Sequence, residues 1–371
     1  MINAYAKKIL RSVTFLNPLR KWRVKFLERL DFFRLKFIVP FFGKSPFLSR
    51  FYYLFFQEFQ RENQAILHGI HRNFKHSILS KTSTYELVRS IHRLEKGISM
   101  PARKKIFALE YIGETLSYYD NVVKNFNQKE KMISPDQLVW AHDVLECYFE
   151  IMGDEPVTAD FKKTFKNMPS PHRENTNGKK LAPYQRKDTP QSGVNYETFY
   201  NLALQRRSVR WFLPKRVPRQ IIDKAIKAAY LSPSDCNTSP YELLVFDTPE
   251  MVKKIGTITK GARGFGEHIP VIVVFVGKLE AYSNEGSRHG IYINTGLLSM
   301  TFAYALETLG LASCMLNWPD IDRNEIKLNK ILNLKPDERV TMLMGLGYPD
   351  PEGYIPYSAK KDIECARKYF S

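Results

Sequence analysis

The chain has 371 residues, 44% hydrophobic and 25% charged, which predicts a sizeable core and excludes a wholly disordered chain. Lys and Arg total 56 against 38 Asp and Glu, and half of the resulting +18 falls in residues 1–60, which also hold 16 of the 49 aromatic side chains. The four cysteines (Cys147, Cys236, Cys314, Cys365) are far apart and form no CxxC pair, so neither a zinc cluster nor a disulfide framework is indicated and a reducing, cytoplasmic compartment is expected.

The start, Met1 to Lys8, has charge but no apolar stretch of useful length behind it, so no cleaved signal peptide is expected. Residues 1–60 form a basic, aromatic-rich segment. Pro18, Pro40 and Pro46 exclude one long regular helix, while Arg20–Phe37 is predicted as a basic helix with Trp22, Phe26, Leu30, Phe33 and Phe37 at three- and four-residue spacing. Three roles stay open for this segment. It suits a peripheral helix on an anionic membrane surface, packing against the rest of the protein or a partner, or nucleic acid; with no nucleic-acid-binding signature, the last is disfavoured.

Residues 61–166 read as a helical domain. Ser83 followed by Glu86 marks a helix start, with Leu87, Ile91, Leu94 and Ile98 recurring on one face. Ser134-Pro135-Asp136-Gln137 marks another, with Pro at the first helical position. His68, His71 and His76 cluster in sequence without a carboxylate or cysteine to complete a ligand set, so no metal site is expected. Residues 167–195, with Pro169, Pro171, Pro183 and Pro190 among polar residues, read as a linker or arm and a domain boundary.

Residues 196–371 alternate. Helices are predicted over Tyr196–Gln205, from Pro218 to Leu231, Pro249–Ile258, Gly290–Leu309 and Ile321–Leu332, and strands over Glu242–Phe246, Val271–Gly277, Ala312–Leu316 and Val340–Gly345. The uncharged run Gly290–Leu306 contains Asn294, Thr295, Ser299 and Thr301 and falls short of the ~20 apolar residues of a membrane span, so it is read as a buried core helix. Interleaved strands and helices predict an α+β fold, a central sheet flanked by helices.

Four segments here bear on chemistry. Arg206-Arg207-Ser208-Val209-Arg210 at a helix end is an anion cradle or a solvated basic turn. Leu231-Ser232-Pro233-Ser234-Asp235-Cys236-Asn237-Thr238-Ser239-Pro240-Tyr241 is a ligand-facing loop or a plain connection. Gly310 leads into Cys314-Met315-Leu316, and Gly345-Leu346-Gly347-Tyr348-Pro349 ends a strand ahead of Lys360-Lys361. Gly261-Ala262-Arg263-Gly264-Phe265-Gly266 lacks dinucleotide-fingerprint spacing and is a mobile loop or a connector.

In this order and spacing the four segments resemble the nitroreductase family of flavin enzymes, over about Asn195–Ser371. The resemblance implies a central mixed sheet flanked by helices and an intertwined homodimer with FMN at its interface. It implies that Arg206, Arg207 and Ser208 meet the FMN phosphate and ribityl chain, and that Arg210 lies by the N1/C2-oxygen edge, where a fixed cation stabilises the reduced anion. By the same resemblance Pro233, Ser234 and Asn237 contact the flavin from the partner chain, Cys314, Met315 and Leu316 back the ring, and Lys360 or Lys361 returns to the phosphate. Ser239-Pro240-Tyr241 stands where the family usually has Gln-Pro-Trp, and Asn294 matches a commonly polar position, read as dimer-interface packing.

The implied reaction is a two-step hydride transfer through flavin N5, from NADH or NADPH to an unidentified small-molecule acceptor, with the cofactor carrying the chemistry and no catalytic side chain assigned. His92, Glu95 and Lys96, opposite the apolar face of their helix, are either a substrate cap over the flavin or a solvated, ion-paired face. The alternative to an enzyme is a non-catalytic flavin-fold scaffold that binds a membrane or protein partner through residues 1–166.

Overall fold

The computed structural model of the chain describes residues 17–56, 59–126, 133–173 and 179–370. The chain divides into two compact units, with the division between Asn63 and Gln64.

In the first unit, α1 (Asn17–Phe33) runs into a π-helical turn (Arg34–Ile38), then α2 (Val39–Phe42) and α3 (Pro46–Phe56). The helix expected over Arg20–Phe37 therefore changes winding at Phe33, and the helical path continues past Pro40 instead of stopping before it. The physical reason is local: Pro40 falls in the first turn of α2, where its missing N–H costs nothing, and the wider π turn before it absorbs the change of hydrogen-bond register.

The second unit begins within α4 (Gln60–Phe74), which continues through a π turn (Lys75–Leu79). Next come α5 (Thr84–Ile98), α6 (Ile112–Lys124), α7 (Pro135–Met152) and α8 (Ala159–Lys166). The start signals read from sequence operate as expected. Ser83 Oγ accepts from the Glu86 N–H at 3.2 Å, and Ser134 and Gln137 cap one another reciprocally at 3.1 Å each. Leu87, Ile91 and Leu94 of α5 pack with Leu116 of α6 and Leu145 and Tyr148 of α7 in a buried cluster. Each buried leucine or isoleucine there contributes about 1.5–3 kcal/mol.

The described residues of 167–195 are irregular apart from a short turn at Arg186–Asp188, yet Arg173, Lys180 and Leu181 are tied to α7. The fully buried Asp143 accepts from Arg173 and, at 2.7 Å, from the Leu181 N–H, while Lys180 Nζ reaches both carboxylate oxygens of Glu150 at 2.9 Å.

After this arm come α9 (Tyr196–Gln205), α10 (Arg219–Ala229), β1 (Tyr241–Phe246), α11 (Pro249–Ile258), β2 (Val271–Lys278), α12 (Gly290–Thr308), β3 (Ala312–Leu316), α13 (Asp322–Leu332) and β4 (Glu338–Gly347). The sheet order is β1-β2-β4-β3, and its three ladders are antiparallel. The four-stranded sheet is thus antiparallel, and outside its strands lie two isolated bridges, Ser208 to Ser313 in parallel and Phe212 to Pro349 antiparallel. β2 is buried on both faces, which explains its unbroken run of apolar residues. Ile272, Val274 and Val276 face a cluster that includes Val252 and Ile255 of α11 and Leu328 of α13. Val271, Val273 and Phe275 face another, with Ile222 and Ala225 of α10 and Leu298 and Phe302 of α12. The fold is thus α+β, a sheet between two helical layers preceded by a helical region.

Candidate functional site

α9 ends at Gln205, and the chain then crosses the sheet as an extended strap. The Val209 N–H donates to Ser313 O at 3.1 Å, and the Leu213 N–H donates to Tyr348 O at 2.9 Å. Val209 and Phe212 pin the strap to the core, with half-buried Arg210 and exposed Trp211 between them. Gly347 is required where the strap passes, because a Cβ there would lie 2.7 Å from Pro270 Cγ and 3.0 Å from the Phe212 ring.

This strap brings Arg206, Ser208 and Arg210 around Cys314 of β3. Burial pushes the Cys314 thiol up, and Arg210, a hydrogen bond with Ser208 and Arg206 oppose it. Arg207 donates to Arg206 O at 3.3 Å and Arg210 to Ser208 O at 3.2 Å, and the Arg210 guanidinium lies 5.9 Å from the Phe265 ring centre. Among the described residues neither Arg207 nor Arg210 makes an ion pair with a carboxylate, although both are half-buried. Two guanidiniums held this way, with a serine hydroxyl between them, can bind an anion. Met315 is half-buried, and Leu316 is in the core. The Gly261–Gly266 stretch is a packed connector: Ala262 and Phe265 are buried, and a Cβ on Gly261 would come within 2.7 Å of Asn317 N.

The second group forms a tight loop before β1. Ser234 Oγ accepts from the Ser239 N–H at 3.0 Å, and Cys236, Asn237 and Ser239 all adopt left-handed φ values of 46°, 58° and 43°. Pro233 and Asn237 are exposed. Asn294 of α12 holds the loop from below. Its Oδ1 accepts from the Asp235 N–H at 2.9 Å, and its Nδ2 donates to the Tyr282 hydroxyl at 3.1 Å. Asn294 is therefore a buried anchor of this loop. Helix α5 packs on the Asp235–Asn237 turn, with Arg89 donating to Ala281 O at 2.7 Å close to Asp235 and Cys236.

The two groups sit at opposite corners of the sheet. β1 and β3 are its two edges, three strand spacings or about 14 Å apart. Tyr241, which follows the loop, is level with Gly277, whereas Ser313 is level with Leu346 and Val271, six residues or about 20 Å along β2.

Lys360 and Lys361 are exposed on a C-terminal stretch whose one regular feature among the described residues is a short turn at Ile363–Cys365. Of the α5 face, Glu95 accepts from Trp140 Nε1 at 2.8 Å and lies 3.3 Å from His92 Nδ1, while Lys96 is exposed. His142, Asp143 and Glu146 place potential ligand atoms within 4.8 Å of one another, but Asp143 is already occupied by Arg173 and Leu181.

Residues 203–262 and 252–348 match the model of the nitroreductase family. The C-terminal half carries a nitroreductase-family domain. Iodotyrosine deiodinase 1 of Sus scrofa is 24% identical over 196 residues, covering 45% of this chain and 67% of that protein; the Homo sapiens protein is 22% identical over 193, with the same coverage. The chain spans about two thirds of the length of these relatives. An FMN-dependent nitroreductase from Clostridium difficile R20291 aligns at 21% identity and TM-score 0.40, covering 46% of this chain and 98% of that one. A nitroreductase family protein from Streptococcus pneumoniae TIGR4 aligns at 18% and 0.41, covering 46% and 100%.

Around the loop before β1, three features escaped the sequence reading. Arg89, Tyr282 and the structural role of Asn294 all serve the loop before β1. No local pattern marks them, because their hydrogen bonds span 12 to 192 positions; Asn294 alone gave a signal, as a polar residue in an apolar helix.

Proposed function

We propose that the nitroreductase-family domain is an FMN-dependent oxidoreductase that draws electrons from NADH or NADPH and delivers them to a small-molecule acceptor. The observation that carries this is the cradle at the strap: half-buried Arg207 and Arg210, without carboxylate partners among the described residues, flanking Ser208 against β3. Leaving two such charges uncompensated is costly in a folded protein unless an anionic group binds there. The donor set suits a phosphate and an electron-rich ring edge, so the residues fit FMN.

When bound, FMN would supply the two-electron chemistry that oxidises the nicotinamide and reduces the acceptor. Arg206, Arg207 and Ser208 would hold the phosphate and ribityl chain, and Lys360 or Lys361 would add charge from the C-terminal stretch. Arg210 would hold negative charge at one edge of the ring, braced by its bond to Ser208 O. Cys314, Met315 and Leu316 would wall the site. Burial favours the neutral Cys314 thiol, which keeps a competing negative charge out.

Pro233, Ser234, Asn237 and Ser239 would complete the site from the second subunit of a homodimer. Their place at the far corner of the sheet supports this, since one ligand held by Arg207 and Arg210 is out of reach of the same chain's loop. Apolar side chains exposed on α9 and α12, including Tyr196, Phe199, Ile293 and Leu297, offer the surface for that dimer. His92, Glu95 and Lys96 would stand as a cap, carried by the helix that packs on that loop.

The test is an absorption spectrum of the purified chain, followed by anaerobic NADH and NADPH. A flavin spectrum that bleaches supports the proposal, and a panel of a nitroaromatic, a quinone and an iodinated tyrosine then sorts the acceptor class. Protein that carries no flavin and takes up no added FMN refutes it.

A further inference from the structure

None of the residues given a role above lies in the first unit, and its surface is unusual. Between Trp22 and Phe56, Leu27 is the one buried apolar side chain among the described residues. Trp22, Phe32, Phe47, Leu54 and Phe55 are each 64–73% exposed. The same stretch carries seven Lys or Arg against Glu28 and Asp31, a net +5, and Asp31 is already held by Arg34 at 2.8 Å. Arg34 also donates to the Tyr52 hydroxyl at 2.5 Å, and Tyr52 stacks on Phe56 at 4.4 Å, which fastens the π turn to α3. The result is a fixed helical hairpin that is apolar and basic on its outside.

We propose that this hairpin, residues 17–56, docks in the plane of an anionic lipid bilayer, with its aromatic and leucine side chains in the headgroup–acyl boundary and its Lys and Arg at lipid phosphates. No described helix is long and apolar enough to cross a membrane, and α3, at 11 residues or about 16 Å, is half the required length. In-plane docking needs only the combination present here, exposed aromatic area and excess basic charge. Charge complementarity selects the occupant. A second copy would bring the same +5 against this face, whereas an anionic bilayer neutralises it. Nucleic acid would satisfy the charge but gains nothing from exposed aliphatic residues such as Leu54 and Leu35.

The experiment is flotation of the full chain with phosphatidylcholine vesicles, with and without phosphatidylglycerol. Flotation only with the anionic vesicles, weakened by salt, is expected. Arg23→Gln, Lys25→Gln and Arg29→Gln together should weaken binding about a hundredfold, on the order of fivefold per charge. Leu54→Ser with Phe55→Ser should weaken it at least about tenfold. All five side chains are exposed, so the variants should keep the wild-type far-UV circular dichroism. The proposal is overturned if the wild type stays with the unfloated fraction, or if the variants float as it does. It is equally overturned if the substitutions dissolve an oligomer, or abolish binding to a polynucleotide, without changing flotation.

Discussion

Replacing Asn294 with Ala removes two buried hydrogen bonds, one from the Asp235 N–H at 2.9 Å and one to the Tyr282 hydroxyl at 3.1 Å. Each is worth about 1 kcal/mol net, and stranding the buried Tyr282 hydroxyl adds about 1 more, so Asn294→Ala should cost about 3 kcal/mol. For a unit of this size that is about 2 °C of Tm per kcal/mol, or about 6 °C in all. The assay is urea and thermal unfolding of Asn294→Ala, Tyr282→Phe and the double variant. Tyr282→Phe alone should cost about 1 kcal/mol, and the double variant should cost about 2 kcal/mol less than the sum of the singles, because one bond is counted twice and no hydroxyl is left stranded when both are changed. The loop above Asn294 holds three non-glycine residues in left-handed conformations, each costing on the order of 1 kcal/mol, so freeing Asp235 should let it relax. On the proposed function, FMN affinity should then fall although Asn294 is assigned no contact with it. An Asn294→Ala cost well under 1 kcal/mol, or strict additivity with Tyr282→Phe, would refute the anchoring role.

Three further outcomes are expected. Arg207→Ala should weaken FMN binding about 10–100-fold while leaving riboflavin binding nearly unchanged, because only the phosphate is lost as a charge-assisted partner; fluorescence titration with both ligands checks this. Mixing Arg210→Ala subunits with Asn237→Ala subunits should regenerate turnover, since one site of each mixed dimer receives both wild-type residues; no recovery in steady-state NAD(P)H oxidation would place Arg210 and Asn237 in the same chain's site. The Glu307 carboxyl is raised above its ordinary range by burial, only partly offset by Gln205 and Arg206, so its folded state favours the proton. That contribution is full below the ordinary carboxylate pKa and is lost as pH rises through the folded value. Glu307→Gln should therefore be more stable than wild type near neutral pH, with the two converging in acid, as read by urea midpoints across pH.

The elements most legible in the sequence are those whose signals are local. The Ser134–Gln137 cap needs only four residues, and the unbroken β-branched run of β2 announces a strand covered on both faces. All four strands lie within two residues of their expected bounds. The π turn before Pro40 was not legible because a missing N–H tells that the hydrogen-bond register must change, not that the helix can widen to change it. The arginine cradle was legible as a composition, but its seating against Ser313 and Cys314 depends on a bridge spanning more than a hundred residues. The left-handed Cys236 and Ser239 gave no sign either, since neither residue type favours that region; only Asn237 does.

Asp143 gives the two arm residues that reach it a property that the arm's composition conceals. The Leu181 amide sits in irregular chain, where amides ordinarily exchange with solvent through small local fluctuations, but its acceptor is a buried carboxylate on α7 that is shared with Arg173. Breaking that bond takes one of its partners from a buried negative charge, so Leu181 should open less readily than the irregular chain around it. Its exchange should follow the stability of α7 and not that of a free tether. At Leu181 and Arg173, what looks like slack between two folded regions is energetically part of the helical layer.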